Sequence, residues 1–286
     1  MDQIEDVARL RESLLASRRA GASIGLVPTM GALHAGHVAL LDACRRENDV
    51  VVLSIYVNPS QFGAGEDLLR YPRDIERDRL VADSHGADIL FTPSDATMYP
   101  EGVDGQIVWV DPSVLAEFME GRSRPGHFRG VATVVTKLFS MVRPDRAYFG
   151  AKDAQQAAVV SRMAHDLALG VDVRVIPTVR EADGLALSSR NAFLSSEERR
   201  QAAGLKRALD VAQAAFASGQ RDAGKLEKTA FDQFSAEAPI ARVDYITVAS
   251  YSTMTPLAGQ ISEPALVAAA VFFGSTRLID NIDLGE

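Results

Sequence analysis

The stretch Val50-Val51-Val52-Leu53-Ser54-Ile55-Tyr56-Val57 narrows the folds open to this chain more than any other. A nearly unbroken apolar run of strand length reads as a strand buried on both faces, as in a parallel sheet covered by helices. Its surroundings agree. Apolar positions Ile4, Val7, Leu10 and Leu14 predict a helix over 3–20, followed by a strand over 23–28 and a second helix running to about residue 48. A helix over 74–84, a strand over 87–92, a helix over 131–142 and strands over 146–149 and 171–176 continue the alternation. An extra strand is expected at 107–110 and a short helix at 112–120, with Pro112 in its first turn. Ser195 and Glu198 have capping-box spacing ahead of a long alanine-rich helix reaching about residue 218. A helix over 223–236 and strands over 243–248, 265–273 and 278–282 complete the chain. The expected class is α/β: a Rossmann-like parallel-sheet N-terminal domain over 1–178 and a smaller α+β C-terminal domain over 179–286.

Composition excludes several functions. A net charge of −8 argues against a general nucleic-acid surface, so an anionic ligand needs locally concentrated positive charge. The longest apolar run, 265–274, is too short to span a bilayer. The acidic start Met1-Asp2-Gln3-Ile4-Glu5-Asp6 lacks the pattern of a secretory leader. The single cysteine, Cys44, forms no intramolecular disulfide, which fits a cytoplasmic location. It shares the apolar face of its helix with Val38 and Leu41, as a small core residue does.

Chemistry concentrates where the first strand turns into a helix, at Val27-Pro28-Thr29-Met30-Gly31-Ala32-Leu33-His34-Ala35-Gly36-His37. The two histidines share a helix face at a first turn, beside unpaired N–H groups and the positive end of the macrodipole, where anions bind. Gly36 between them leaves room for a base or phosphate to approach the backbone. The alternative is a buried turn whose histidines are satisfied by hydrogen bonds. Asn58-Pro59-Ser60-Gln61-Phe62-Gly63 follows the central strand at its carboxyl end, the ligand side of open α/β sheets. The loop 121–130 holds Arg122, Arg124, Arg129 and His127, the densest positive cluster, which reads either as an anion site or as a solvated turn. Lys152 lies near a helix N-terminus, against the dipole, and a phosphate between them would explain it. Leu187-Ser188-Ser189-Arg190-Asn191 offers hydroxyls, a guanidinium and an amide to a phosphate chain.

Together these segments resemble the pantothenate synthetase (pantoate:β-alanine ligase) family, within the nucleotidyltransferase superfamily that includes class I aminoacyl-tRNA synthetases. The segment ending in His34-Ala35-Gly36-His37 is similar to the His-Ile-Gly-His signature. Val57 to Gly63, Arg143-Pro144-Asp145 with Phe149-Gly150-Ala151-Lys152-Asp153, and Val175-Ile176-Pro177-Thr178-Val179-Arg180-Glu181 with Leu187 to Asn191 resemble the other motifs in order. The last is similar to the mobile Lys-Met-Ser-Lys-Ser loop. One departure is visible, since the family commonly has glutamate where Ala151 stands.

The resemblance implies that pantoate and ATP form pantoyl adenylate and pyrophosphate, and that β-alanine then displaces AMP to give pantothenate. It implies catalytic roles for His34, His37, Lys152, Ser188, Ser189 and Arg190. ATP contacts are expected from Pro28, Thr29, Met30, Gly31, Ala32, Leu33, Ala35 and Gly36 beside the histidines. Others are expected from Phe149, Gly150, Ala151, Asp153, Val179 and Leu187. Gln61 and Gln156 are placed at pantoate with Met30 and Phe62 at its apolar part, Asn58 and Tyr71 are expected among the contacts to pantoate or β-alanine, and Arg124, His127 or Arg129 at the carboxylate of β-alanine. Mg²⁺ is expected on the ATP phosphates with no protein cage, the C-terminal domain is expected to close over ATP, and a homodimer is expected. The other readings are a nucleotidyltransferase without an amine site and a non-catalytic nucleotide-binding regulator.

Overall fold

The computed structural model describes residues 1–63 and 66–285, so Glu286, the end of the expected second domain, lies outside the described residues. The chain forms two units, one of Met1–Ala151 with Val159–Pro177, the other of Lys152–Ala158 with Thr178–Glu286. Lys152–Ala158, assigned from sequence to the N-terminal domain, thus groups with the second unit.

The first unit carries β1 (Asp2–Ile4), α1 (Val7–Arg19), β2 (Ile24–Thr29), α2 (Ala35–Glu47), β3 (Val50–Ile55), α3 (Ile75–Ser84), β4 (Ile89–Phe91), α4 (Asp95–Met98), α5 (Met119–Ser123), α6 (His127–Val142) and β5 (Arg146–Gly150). Helix α7 (Ala154–Asp166) begins in the second unit and ends in the first, and β6 (Asp172–Ile176) closes the first. All strand pairs in it are parallel, in the order β1-β4-β3-β2-β5-β6. The apolar run at β3 does what its composition predicts. Val52 packs on one face with Leu10, Leu26 and Leu138, while Val51 and Leu53 pack on the other with Leu40, Leu41 and Cys44. Burial pushes the Cys44 thiol up to about 12, so it is an inert core group. From β2 the chain builds outward through β3 and β4, then returns to start β5 on the other side of β2. The switch point of the sheet therefore lies between β2 and β5, and in such sheets the crevice at the carboxyl ends of the two switch-point strands takes the ligand.

The second unit continues with α8 (Ser196–Ala202), α9 (Gly204–Ala217), α10 (Ala223–Glu237), β7 (Arg242–Ser250), β8 (Ala265–Phe273) and β9 (Thr276–Asp283). The three strands form an antiparallel sheet, and Leu205, Leu209, Phe216, Leu226 and Phe234 of α9 and α10 share its core with Val267 and Val271.

Several expected elements differ. Ile4 belongs to a strand, not to the first helix, because Asp2–Ile4 hydrogen-bonds in parallel with Ile89–Phe91, and Asp6 caps α1 by accepting from Arg9 N–H. Residues 107–110 form no strand: Ile107 and Val108 are 92% and 77% exposed, and Val110 N–H donates to Thr133 Oγ1 instead of to a ladder. The helix expected at 112–120 is a 3₁₀ turn, Ser113–Ala116, followed by α5. The expected loop 121–130 is mostly helical, since α6 starts at His127 after left-handed Gly126. The long alanine-rich helix is interrupted at Ala203, which separates α8 from α9.

Candidate active site

In the first unit, β2 ends at Thr29, whose Oγ1 donates to Ser54 O (2.8 Å) and accepts from Gly31 N–H (3.2 Å). The chain then turns through two left-handed residues, Gly31 (φ 83°) and Ala32 (φ 52°). Such a turn costs about 1 kcal/mol or more at a non-glycine residue and persists only where its surroundings impose it. Here the buried Asp78 of α3 imposes it, accepting from Ala32 N–H and Leu33 N–H at 2.8 Å each. A Cβ on Gly31 would lie 2.8 Å from Asp78 Oδ2. Asp78 lies in a stretch that reads from sequence only as a polar helix, and nothing in its spacing points to this role.

The turn delivers His34 to the N-cap of α2. Gly36 N–H donates to His34 Nδ1 (3.1 Å) and His34 N–H donates to His37 Nδ1 (3.3 Å), a capping box built from two imidazoles. The rings lie 4.1 Å apart, tilted by 32°. With Nδ1 accepting in both, a neutral ring carries its proton on Nε2. At Gly36 a Cβ would lie 2.8 Å from the His34 ring, so its missing side chain makes room for His34 itself.

The loop after β3 is fixed from several directions. Asn58, 1% exposed, caps the turn Pro59–Gln61, and Gln61 Nε2 donates to Met30 Sδ at 3.1 Å. Phe62 and Tyr71 meet edge to face at 6.2 Å. Arg124 is bidentate to Glu66 (2.8 and 2.7 Å), and its Nη1 lies 3.0 Å from His127 Nε2. His127 Nδ1 donates to Gln61 O at 2.8 Å. Burial, then the Arg124 charge, push the His127 pKa down to about 4, which keeps the ring neutral and in this tautomer. Arg129 lies over the Trp109 ring, and Arg122 over Phe118. Within the positive cluster Arg124 and His127 are therefore engaged in bracing the 58–62 loop, while Arg122 and Arg129 are exposed.

Gly130 of α6 allows that bracing, because a Cβ there would lie 2.5 Å from Ser60 O and 2.8 Å from Gln61 Cα. On helix propensity alone Gly130→Ala would gain about 1 kcal/mol, but overpacking against backbone costs about 1–3 kcal/mol and displaces the loop. We expect the variant to be destabilised in urea unfolding; an unchanged midpoint would show that the loop tolerates the shift.

In the second unit, Lys152 lies in the 3₁₀ turn Ala151–Asp153, just before α7, with Nζ 3.7 Å from Asp153 Oδ1. Its carbonyl accepts from Asn281 Nδ2 of β9 at 2.9 Å. The neighbouring Asp280 is buried and accepts two bonds from Arg180 (2.6 and 2.9 Å) and one from Asn281 N–H (2.8 Å). Arg180 in turn donates to Gly184 O, and the segment 179–187 doubles back on itself, with Leu187 N–H donating to Val179 O. Ser188 caps the turn Ser189–Phe193 by accepting from Arg190 N–H, and Asn191 Nδ2 donates to Glu181 Oε1 and Ala186 O. Glu181 and Asp183 also hold Arg199 of α8. Gln156 sits half-buried on the first turns of α7.

Of the residues expected from sequence, the first unit brings together Pro28 to His37 with Asn58, Gln61, Phe62 and Tyr71, and it carries Phe149, Gly150 and Ala151 at the end of β5. The second unit carries Lys152, Asp153, Gln156, Val179 and Leu187 to Arg190. The sequence did not reveal Asp78, Glu66, Gly130, Asp280 or Asn281, whose roles come from contacts far along the chain. Among the described residues no three His, Cys, Asp or Glu side chains gather as a metal cage, and no helix is long and apolar enough to cross a membrane.

Residues 2–283 match the model of the pantoate-beta-alanine ligase family. The chain is 52% identical over 280 residues to the pantothenate synthetase of Pelotomaculum thermopropionicum, covering 98% of each chain. To that of Moorella thermoacetica it is 49% identical over 284 residues, covering 99% of each. The pantothenate synthetase of Thermus thermophilus superposes with a TM-score of 0.92 at 45% identity over the whole of both chains. The pantoate-beta-alanine ligase of Francisella tularensis, complexed with beta-gamma ATP and beta-alanine, does so at 0.79 and 32% identity, covering 99% of this chain and 98% of its own.

Proposed function

This chain belongs to the pantoate–β-alanine ligase family, and we propose that it ligates the two acids through a pantoyl adenylate, with its paired histidines holding the nucleotide phosphates. The observation that carries this reading is the imidazole capping box, which uses Nδ1 of both rings as acceptors and sets the two imidazoles side by side at a helix N-terminus. In the first step the pantoate carboxylate, already ionised at neutral pH, attacks the α-phosphorus of ATP and pyrophosphate leaves, so no general base is needed. Negative charge grows on the phosphoryl oxygens and the leaving group, and catalysis consists of positioning and preorganised donors. His34, His37, Lys152, Ser188, Ser189 and Arg190 are donors of that kind. In the second step the neutral amine of β-alanine attacks the acyl carbon, the bond to AMP breaks, and the amine gives up a proton.

Gln61 supports the acid end of the reading. Its neutral amide can bind the pantoate carboxylate without the charge that would quench its nucleophilicity, and Met30 and Phe62 offer apolar surface beside it. Gln156 carries the same amide chemistry in the second unit. Mg²⁺ belongs to this proposal as part of the MgATP substrate, and no side chain is assigned to hold it. Closure of the C-terminal domain over ATP, a cytoplasmic location and a homodimer belong to it too, the last measurable by light scattering at several concentrations.

Exchange of labelled pyrophosphate into ATP tests the adenylation step. Exchange should require pantoate, and AMP release should require β-alanine in addition. Exchange without pantoate, or none with it, overturns the proposal. Exchange with pantoate but no β-alanine-dependent AMP release would favour a nucleotidyltransferase lacking an amine site.

A further inference from the structure

Resting on the reading of the 58–62 loop as part of the pantoate pocket, we propose that Tyr99 is a positioning residue that fixes which end of the Gln61 amide faces the substrate. Asn58 is the link between them. Its Oδ1 accepts from Ser60 N–H (3.3 Å) and lies 2.9 Å from both Tyr99 OH and Ser60 Oγ, which are 2.8 Å from each other, so the two hydroxyl hydrogens are shared among three contacts. Its Nδ2 donates to Gln61 Oε1 (3.1 Å) and Gly130 O (3.2 Å), which uses both hydrogens. Turning this amide over would set its NH₂ against Ser60 N–H and its oxygen against Gly130 O and Gln61 Oε1, and the Tyr99 hydroxyl adds to the preference for the orientation seen. The fixed Asn58 then occupies Gln61 Oε1 and leaves Gln61 Nε2 as the outward end. Among the described residues that nitrogen hydrogen-bonds only to Met30 Sδ, a weak acceptor, so a carboxylate or hydroxyl oxygen is its better partner.

Tyr99 itself is 2% exposed, and Lys137 Nζ lies 4.0 Å from its ring centroid. Lys137 is in turn tied to Met98 O and Gln106 Oε1. The ring is held in place and the hydroxyl is shut away from substrate, so Tyr99 acts through Asn58 and Gln61. By the same count Asn58 has no polar atom left for a ligand, which makes it a positioning residue and Gln61 the group that touches the acid.

The test is steady-state kinetics on the full chain, with thermal melts alongside. Tyr99→Phe removes the hydroxyl and keeps the ring, and the loss of one hydrogen bond should raise KM for pantoate about fivefold to tenfold with KM for ATP unchanged. Added to Gln61→Ala, it should raise KM no further, because its effect passes through the missing amide. An unchanged KM in the single variant, or an equal rise in both backgrounds, overturns the proposal. Asn58→Asp provides a second arm. Its carboxylate would draw the Gln61 NH₂ inward and turn Oε1 toward the substrate anion, so KM for pantoate should rise more than in Tyr99→Phe, again with no effect on Gln61→Ala. An Asn58→Asp variant that folds and keeps the wild-type KM also overturns it. Failure of pantoate-dependent exchange in the wild-type chain would instead overturn the functional reading beneath it.

Discussion

Lys152→Ala is expected to slow pantoate-dependent pyrophosphate exchange by about a hundredfold to a thousandfold, the usual cost of removing one preorganised donor to a charged transition state, or about 3–4 kcal/mol of barrier. Lys152 precedes α7 and sets a positive charge at the positive end of a helix dipole, where its effect on folding is unfavourable by a few tenths of a kcal/mol to about 1 kcal/mol. Its 3.7 Å approach to the half-exposed Asp153 is too long to offset much of that. Rate and stability should therefore move in opposite directions, with the variant far slower and its melting temperature equal or higher. A structural role would lower both. Exchange rates within tenfold of wild type would remove Lys152 from the catalytic set.

Asp280→Ala should destabilise the second unit by about 3 kcal/mol, the lower part of the range for removing one partner of a buried ion pair. The lower part applies because Arg180 keeps 20% of its side-chain surface in water, whereas Asp280 keeps 2%. Two effects add. Arg180 loses a bidentate carboxylate, and Asn281 N–H loses the acceptor beside the amide that holds Lys152 O. Urea unfolding checks the first effect, and exchange kinetics check the second, with kcat falling further than stability alone explains because the Lys152 turn has lost part of its anchor. Asp280→Asn keeps an acceptor and should fall between. A stability within about 1 kcal/mol of wild type would show that water replaces Asp280 at Arg180.

The parts of the fold legible beforehand share a local cause. The β3 run and the α2 start are written in side-chain periodicity and in which residues flank an element, and both are properties of neighbours in the chain. The candidate donors were legible for the same reason, since His34 with His37 and Ser188 to Arg190 are contiguous. β1 was not. Its three residues join the helical spacing of Ile4, Val7 and Leu10, and only pairing with β4 makes them a strand. Residues 107–110 fail in the opposite sense: their composition is that of a strand, but no neighbour offers a ladder.

The site shows the same division. The sequence determined the chemistry on offer: two imidazoles at a helix start, an amide at Gln61, a lysine before α7 and a hydroxyl-rich loop. The tertiary structure decided how those groups are aimed. Asp78 reaches back 46 residues to hold the Gly31–Ala32 turn, Tyr99 sets Asn58 from 41 residues away, and Asn281 fastens Lys152 across 129. It also gave Gly36 and Arg124 supporting duties that the sequence does not show, since a Cβ on Gly36 would meet the His34 ring and Arg124 is held by Glu66. Periodicity and capping are encoded within a few residues, whereas a buried donor takes whichever acceptor the packed core brings within about 3 Å.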